Sequence, residues 1–167
     1  MENINFIKNI DNLGRIVIPM DVRRKLNIST GDVLSIVISD NNIVLSKYSS
    51  LENNNRLYNI LTLFSEILGI KYILVNKQKV VFSNLVNNNI KYDLSFKQVV
   101  YNGNKLYCEK HDYVFGTNKI SGIYNMLPII TKDGIEGSIV VFGGETENGY
   151  KYCELLSKII MMELNIT

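Results

Sequence analysis

The chain has 167 residues, 46% of them hydrophobic, and a formal net charge of +2 at pH 7. This composition can bury a core, which argues against disorder, and so small a net charge does not by itself indicate a nucleic-acid, membrane or acidic partner. The two cysteines, Cys108 and Cys153, are too few and too far apart for the disulfide framework of a small secreted protein. No apolar run resembles a signal peptide or reaches the roughly 18 residues that a membrane span needs, so we expect a cytoplasmic protein.

The first part of the chain alternates between apolar and polar side chains with the period of two that is typical of β-strands. A helix interrupts the alternation after Pro19, because proline suits the first turn of a helix, where a missing N–H costs nothing. Gly14 can supply the positive φ of a preceding turn. The predicted order is strand, strand, helix, strand, strand, with strands at residues 4–10, 15–18, 34–38 and 43–48.

This N-terminal segment is small for a domain that folds alone. A chain of about 50 residues without a metal or a disulfide buries too little apolar surface to be more than marginally stable. Two copies that share one core would remove the difficulty. We therefore expect a dimer on physical grounds.

A polar stretch after Tyr48 marks the predicted domain boundary. We assign residues 1–50 to an N-terminal domain, 51–55 to a linker and 56–167 to a second domain. Apolar residues at helical spacing predict helices at 57–68 and 150–164, the first ended by Gly69 and the second with Thr146 as a candidate cap. Between them we expect strands at 72–75 and 80–82, a short helix capped by Ser95, and a hairpin at 124–131 and 135–142, which together indicate a small α+β domain.

The positive charge of the chain is concentrated in residues 8–25. This segment holds three of the four arginines and two lysines, and with Asp11 and Asp21 its local charge is +3. The planar fork of arginine suits phosphate groups and guanine edges, so the concentration indicates a nucleic-acid contact surface. The alternative is structural, with Arg15 paired to Asp11 and with Arg23 or Arg24 paired to Asp21 or to an acidic residue of a partner chain. Successive helical residues diverge by about 100°, so Arg23 and Arg24 cannot face one shallow surface equally, and Arg24 is the doubtful contact.

Residues 6–36 read FIKNIDNLGRIVIPMDVRRKLNISTGDVLSI, and residues 43–49 read IVLSKYS. This long, ordered run resembles the AbrB-type swapped-hairpin DNA-binding domain. The resemblance implies a dimer in which two chains interlace their hairpins into one β-barrel, with double-stranded DNA bound by Lys8, Arg15, Arg23 and Arg24. Position 8 is often arginine in relatives; lysine keeps the attraction to phosphate but lacks the bidentate fork.

The second domain extends the resemblance. An AbrB-type domain followed by a compact α+β domain resembles sporulation regulators whose C-terminal domain is GAF-like, with residues 127–142 (LPIITKDGIEGSIVVF) as its central hairpin. The resemblance implies a nucleoid-associated transcription regulator of late sporulation genes in the forespore. It also implies that the C-terminal domain joins dimers into a tetramer and senses a signal. The alternative is an antitoxin-like AbrB relative that binds and silences a protein partner.

The sequence offers little for catalysis, cofactors or metals. His111, the only histidine, lies beside Cys108, Glu109 and Asp112, but zinc sites need four ligands in recognisable pairs. No nucleophile elbow, Walker motif or dinucleotide fingerprint is present, so we expect no cofactor and no enzyme. Four aromatic residues could line a small-molecule pocket of a GAF-like domain or could equally be core: Tyr107, Tyr113, Phe115 and Tyr124.

Overall fold

The computed structural model describes residues 6–26, 28–52, 54–110, 112–132, 134–142 and 147–166. Its contacts divide the chain into two compact units, Met1–Tyr48 and Ser49–Thr167.

The N-terminal unit contains one short helix and one hairpin. Helix α1 spans Met20–Lys25, and strands β1, Leu34–Ser39, and β2, Asn42–Lys47, pair antiparallel with Leu34 opposite Lys47. Asp40 takes a positive φ of 52° in the turn, a conformation that aspartate tolerates better than most residues. The predicted helix and the predicted second pair of strands are therefore present.

Residues 6–18 do not form the strands that the sequence predicts. Phe6–Ile10 and Arg15–Ile18 are extended or irregular, and the part of the first predicted strand before Phe6 lies outside the described residues. A strand forms only beside a neighbouring strand, to which its N–H groups donate hydrogen bonds and from which its carbonyl groups accept them. In this single chain β1 and β2 pair with each other, which leaves residues 6–18 without that neighbour.

No hydrophobic side chain of residues 6–26 or 28–48 is buried. Apolar residues lie exposed in every part of the unit: Ile7 (88%), Ile16 (54%), Met20 (56%), Ile36 (68%), Ile38 (80%) and Ile43 (72%). Removal of apolar surface from water is the main favourable term in folding. As a single copy, the described part of the unit therefore has no hydrophobic core.

The C-terminal unit is built on a five-stranded antiparallel sheet. The strands of the unit are β3 (Lys71–Asn76), β4 (Val80–Ser83), β5 (Leu106–Glu109), β6 (Tyr113–Phe115), β7 (Asn118–Ile120), β8 (Tyr124–Thr131) and β9 (Gly134–Phe142). The strand order of the sheet is β4-β3-β9-β8-β5, and β6 and β7 form a separate two-stranded hairpin. The long β8–β9 hairpin is the one that the sequence predicts.

Three helices complete the unit, and their ends follow ordinary capping chemistry. They are α2 (Asn55–Leu68), α3 (Leu94–Tyr101) and α4 (Glu147–Ile166). As predicted, Gly69 ends α2 in the left-handed conformation, with φ 62°. The predicted cap of α3 is wrong: the side chain of Asp93 accepts from the N–H of Phe96 at 2.8 Å, and Ser95 Oγ donates to the same carboxylate. Thr146, the predicted cap of α4, lies outside the described residues.

Both faces of the sheet are covered. Side chains alternate along β3, so Tyr72 and Leu74 join one core with α2 and α4, whereas Ile73 and Val75 join a second core with α3 and the β6–β7 hairpin. Strands buried on both faces need no polar alternation, and β3 accordingly reads as a nearly continuous apolar run. Two helices on one face and one on the other give the α+β architecture that the sequence predicts.

The segment before α2 is part of the C-terminal unit. Leu51 is 0% exposed and packs in the core under α2 and α4. Glu52 pairs with Lys79 at 3.0 Å and accepts a hydrogen bond from Asn76 Nδ2 at 2.6 Å. The interval 51–55, predicted as a linker, thus contains a core residue, Leu51, and a glutamate, Glu52, that binds polar groups at the β3–β4 turn.

Candidate nucleic-acid interface

The loop that carries Arg15 is organised by Asp11. The Asp11 carboxylate accepts hydrogen bonds from the backbone N–H groups of Leu13 at 3.0 Å and Arg15 at 2.8 Å. The backbone N–H of Asp11 donates to the carbonyl of Arg15 at 3.0 Å, and Gly14, with φ 75°, closes the turn. The D-x-L-G-R spacing therefore places the aspartate where it can satisfy the donors of a tight loop.

Asp11 also pairs with the Arg15 side chain. Arg15 Nε donates to Asp11 Oδ2 at 2.8 Å, while the Arg15 side chain remains 71% exposed. The backbone and side-chain hydrogen bonds from Arg15 lower the pKa of the Asp11 carboxyl and so favour its ionised form. The structural pairing that the sequence left open is present. It occupies Nε and leaves the terminal nitrogens of the guanidinium group available to a ligand.

Helix α1 presents its charges in the order that a helix dipole favours. Asp21 lies in the first turn, and Arg23, Arg24 and Lys25 lie in the last. Pro19 stands at the N-cap, immediately before the first helical residue.

The two arginines of α1 have different environments. Arg24 is exposed, whereas Arg23 is half-buried and its Nε is buried with no hydrogen-bond partner in the described residues. A buried guanidinium N–H without an acceptor is costly, so Arg23 is the arginine whose surroundings are incomplete in a single chain. Lys8 is exposed like Arg24. All four predicted contact residues lie in one unit, and three of them are open to solvent.

Three of the four aromatic residues predicted to line a pocket form part of a core. Tyr113, Phe115 and Tyr124 are at most 8% exposed. The ring of Phe96 lies 4.8 Å from Tyr113 and 5.0 Å from Phe115, and Tyr113 lies 5.9 Å from Tyr124. These edge-on and tilted contacts are those of packed aromatic clusters.

Tyr107 is separate from that cluster. It is 53% exposed, and its ring lies 4.5 Å from that of Tyr150 on α4. The structure does not bring the four predicted pocket residues together around one space.

The region around His111 offers no metal site in the part of the chain that the structure describes. His111 itself lies outside the described residues, and no group of three or more potential ligands is found among the others. Asp112 pairs with Lys119 at 2.8 Å. Cys153 is fully buried, and burial raises the pKa of its thiol to about 12. None of the described helices is long and apolar enough to cross a membrane.

Comparison with known proteins finds relatives of the N-terminal part of the chain. Residues 7–53 match the family described as "Antidote-toxin recognition MazE, bacterial antitoxin". Over 48 residues the chain is 42% identical to the transition state regulatory protein AbrB of Bacillus subtilis, which covers 29% of this chain and 50% of AbrB. Over 52 residues it is 42% identical to stage V sporulation protein T of the same organism, covering 30% of this chain and 29% of that protein.

A third relative, the putative transition state regulator Abh of Bacillus subtilis, is 38% identical over 48 residues, covering 29% of this chain and 52% of Abh. The chain thus spans about half the length of AbrB and Abh, and less of stage V sporulation protein T. All three alignments involve less than a third of this chain. The N-terminal part of this protein is a domain of the MazE/AbrB type.

Proposed function

We propose that this protein is a DNA-binding transcription regulator that holds double-stranded DNA through the basic residues of its N-terminal domain. One observation carries the proposal: a short segment of a MazE/AbrB-type domain presents exposed Lys8, Arg15 and Arg24, with Arg15 held by Asp11. Lysine and arginine that neutralise phosphates release counterions, which supplies affinity for any DNA sequence. Arginine forks also read base edges and groove shape, which supplies specificity.

The regulator acts as a dimer through this domain. Apolar side chains from the basic segment, α1 and the β1–β2 hairpin are exposed in a single copy, and residues 6–18 lack strand partners. A second copy that interlaces its hairpin would supply both the missing core and the missing backbone hydrogen bonds. The buried, unpartnered Nε of Arg23 could find its acceptor on the partner copy or on DNA.

The C-terminal domain, which we assign to the GAF-like class, joins dimers into a tetramer. Helices α2 and α4 lie side by side, linked by the Arg56–Glu163 ion pair at 3.0 Å. Each helix buries one face and exposes apolar residues on another: Leu63 (55%) and Ile67 (71%) on α2, Leu155 (40%) and Met162 (64%) on α4. A second copy docked on these exposed faces would cover them.

A double change, Leu63→Ser with Ile67→Ser, tests this part of the proposal. We expect light scattering on the full chain to show a tetramer, and the variant to form dimers with an unchanged helical signal. A variant that remains tetrameric contradicts the assignment of this surface.

The relatives suggest the biological setting. One relative is named for sporulation, stage V sporulation protein T, and another, AbrB, is named a transition state regulatory protein. We place this regulator at the nucleoid in the forespore, acting on late sporulation genes. A ligand bound between the rings of Tyr113, Phe115 and Tyr124 would require a rearrangement, since these rings pack in one core.

The matched family gives a second candidate, an antitoxin that binds and silences a protein partner. Antitoxin tails are typically short and unstructured, whereas residues 49–167 form a unit with two cores. This difference favours the regulator. A genomic neighbour encoding a toxin would favour the antitoxin.

Genome-wide mapping of DNA occupancy during sporulation tests the proposed function, with Arg15→Ala as the matched variant. We expect discrete occupied sites near late sporulation genes that disappear in the variant. Equal occupancy by both proteins, or none by either, would contradict the proposal.

A further inference from the structure

An unusual pair of lysines lies on the C-terminal unit, away from the basic segment. Lys97 and Tyr101 are one turn apart on α3, and Lys77 lies in the turn between β3 and β4. The ammonium group of Lys97 lies 5.5 Å from the centre of the Tyr101 ring, and that of Lys77 lies 5.9 Å from the same centre. Both cations are thus attracted to the same aromatic ring.

Neither lysine forms an ion pair in the part of the chain that the structure describes. Both are half-buried, whereas neighbouring Lys79 is paired with Glu52. Two cations that lie near one ring without forming an ion pair favour an anion bound beside the exposed Tyr101 ring.

The register of the sheet places a further lysine at this end of the unit. Asn76, just before Lys77, lies opposite Gly137, and Thr131 lies opposite Gly134, so the β3–β4 and β8–β9 turns leave the sheet at one end. The β8–β9 turn carries the exposed Lys132. The Glu52–Lys79 pair fixes the first residues of the unit against the same end.

We propose that Lys77, Lys97 and Tyr101 form a second DNA-contact surface that binds the phosphate backbone. This inference rests on the proposed function. The two units belong to one chain, so DNA bound by the N-terminal unit is tethered to the unit that carries this surface. Tethering raises the effective concentration of phosphate, which lets a contact of few charges contribute to affinity. Lysines that contact phosphates supply affinity for any DNA sequence, which suits a sequence-independent role.

The test compares salt dependence of DNA binding by full-length variants on a long duplex. Lys77→Gln with Lys97→Gln removes the surface, and Lys71→Gln is the matched control, because Lys71 is exposed at the other end of the strand that leads to Lys77. Each lost phosphate contact should change the slope of log affinity against log salt by about 0.9, and each chain of a dimer carries both lysines. We therefore expect the double variant to bind more weakly, with a slope shallower by roughly 2 to 4 units. We expect Lys71→Gln to bind like the unchanged protein.

Arg15→Ala, measured in parallel, separates this inference from the proposed function. If the double variant retains both affinity and slope while Arg15→Ala loses them, the second surface is wrong and the proposed function stands. If Arg15→Ala also changes nothing, the proposed function fails as well. An equal loss in Lys71→Gln would show a general effect of charge and would overturn the assignment to Lys77 and Lys97.

Discussion

The apolar strands of the two units differ in burial. Ile36 and Ile38 lie on one face of β1 and are 68% and 80% exposed, whereas Ile73 and Val75 lie on one face of β3 and are both 0% exposed. In the C-terminal unit, helices cover both faces of the sheet. The described residues of the N-terminal unit do not cover the β1–β2 hairpin in this way.

This difference shows that a strand pattern specifies which residues can be buried and leaves open what buries them. In the C-terminal unit the covering layers come from the same chain. In the N-terminal unit, on our account, they come from a second copy. The basic segment belongs to the incomplete unit, so assembly and DNA binding would depend on each other.

The largest effect should appear on dilution. Because no hydrophobic side chain is buried among the described residues of the N-terminal unit, its thermal unfolding midpoint should fall as protein concentration falls, and residues 1–50 expressed alone should sediment as a dimer. Circular dichroism melts over a wide concentration range, with sedimentation, measure both. A folded N-terminal monomer at micromolar concentration would break the comparison.

Within the C-terminal unit, Leu51→Ala should lower the unfolding free energy more than any other single change in residues 49–52. Leu51 is 0% exposed in the core, and truncation of a buried leucine to alanine costs about 2–5 kcal/mol of unfolding free energy. Leu94→Ala is the matched control, because Leu94 is 77% exposed, and we expect a change within about 0.5 kcal/mol. Denaturant melts measure both, and equal costs would show that residues 49–52 are not held as described.

A smaller effect concerns the two thiols. Cys108 is exposed, whereas Cys153 is buried and its pKa of about 12 keeps it protonated at neutral pH. A thiol reagent should modify Cys108 at once and Cys153 only as the C-terminal unit opens, so Cys108→Ser should show almost no fast reaction. Fast modification of both thiols in the native protein would show a more open core than the structure has.

The sequence predicted the elements that depend on local signals. Helix α2, its end at Gly69 and the β8–β9 hairpin were predicted because apolar periodicity and glycine chemistry coincide there. Strand β5 was missed, since Cys108 has a φ of 48° and breaks the register against β8. Leu51 was missed as a core residue because a single leucine in a polar stretch carries no period.

The candidate interface shows the same limit. The basic residues and the Asp11–Arg15 pairing follow from spacing along the chain. The half-buried state of Arg23 and the exposure of Arg24 depend on which face of α1 packs against the rest of its unit. The pairing of Lys77 with Lys97 around Tyr101 joins two separate elements, so neither local sequence predicts it.

The central claim is that the basic segment of a dimeric N-terminal domain binds DNA, and the salt dependence of Arg15→Ala tests it most directly. Two copies each of Lys8, Arg15, Arg23 and Arg24 should contribute a slope of roughly −3 to −6 to log affinity against log salt, at about 0.9 per phosphate. We expect Arg15→Ala to weaken binding to every sequence and to make the slope shallower by roughly 1 to 2 units, since two phosphate contacts are lost. If Arg15→Ala and Arg23→Ala both leave affinity and slope unchanged, this surface does not bind DNA.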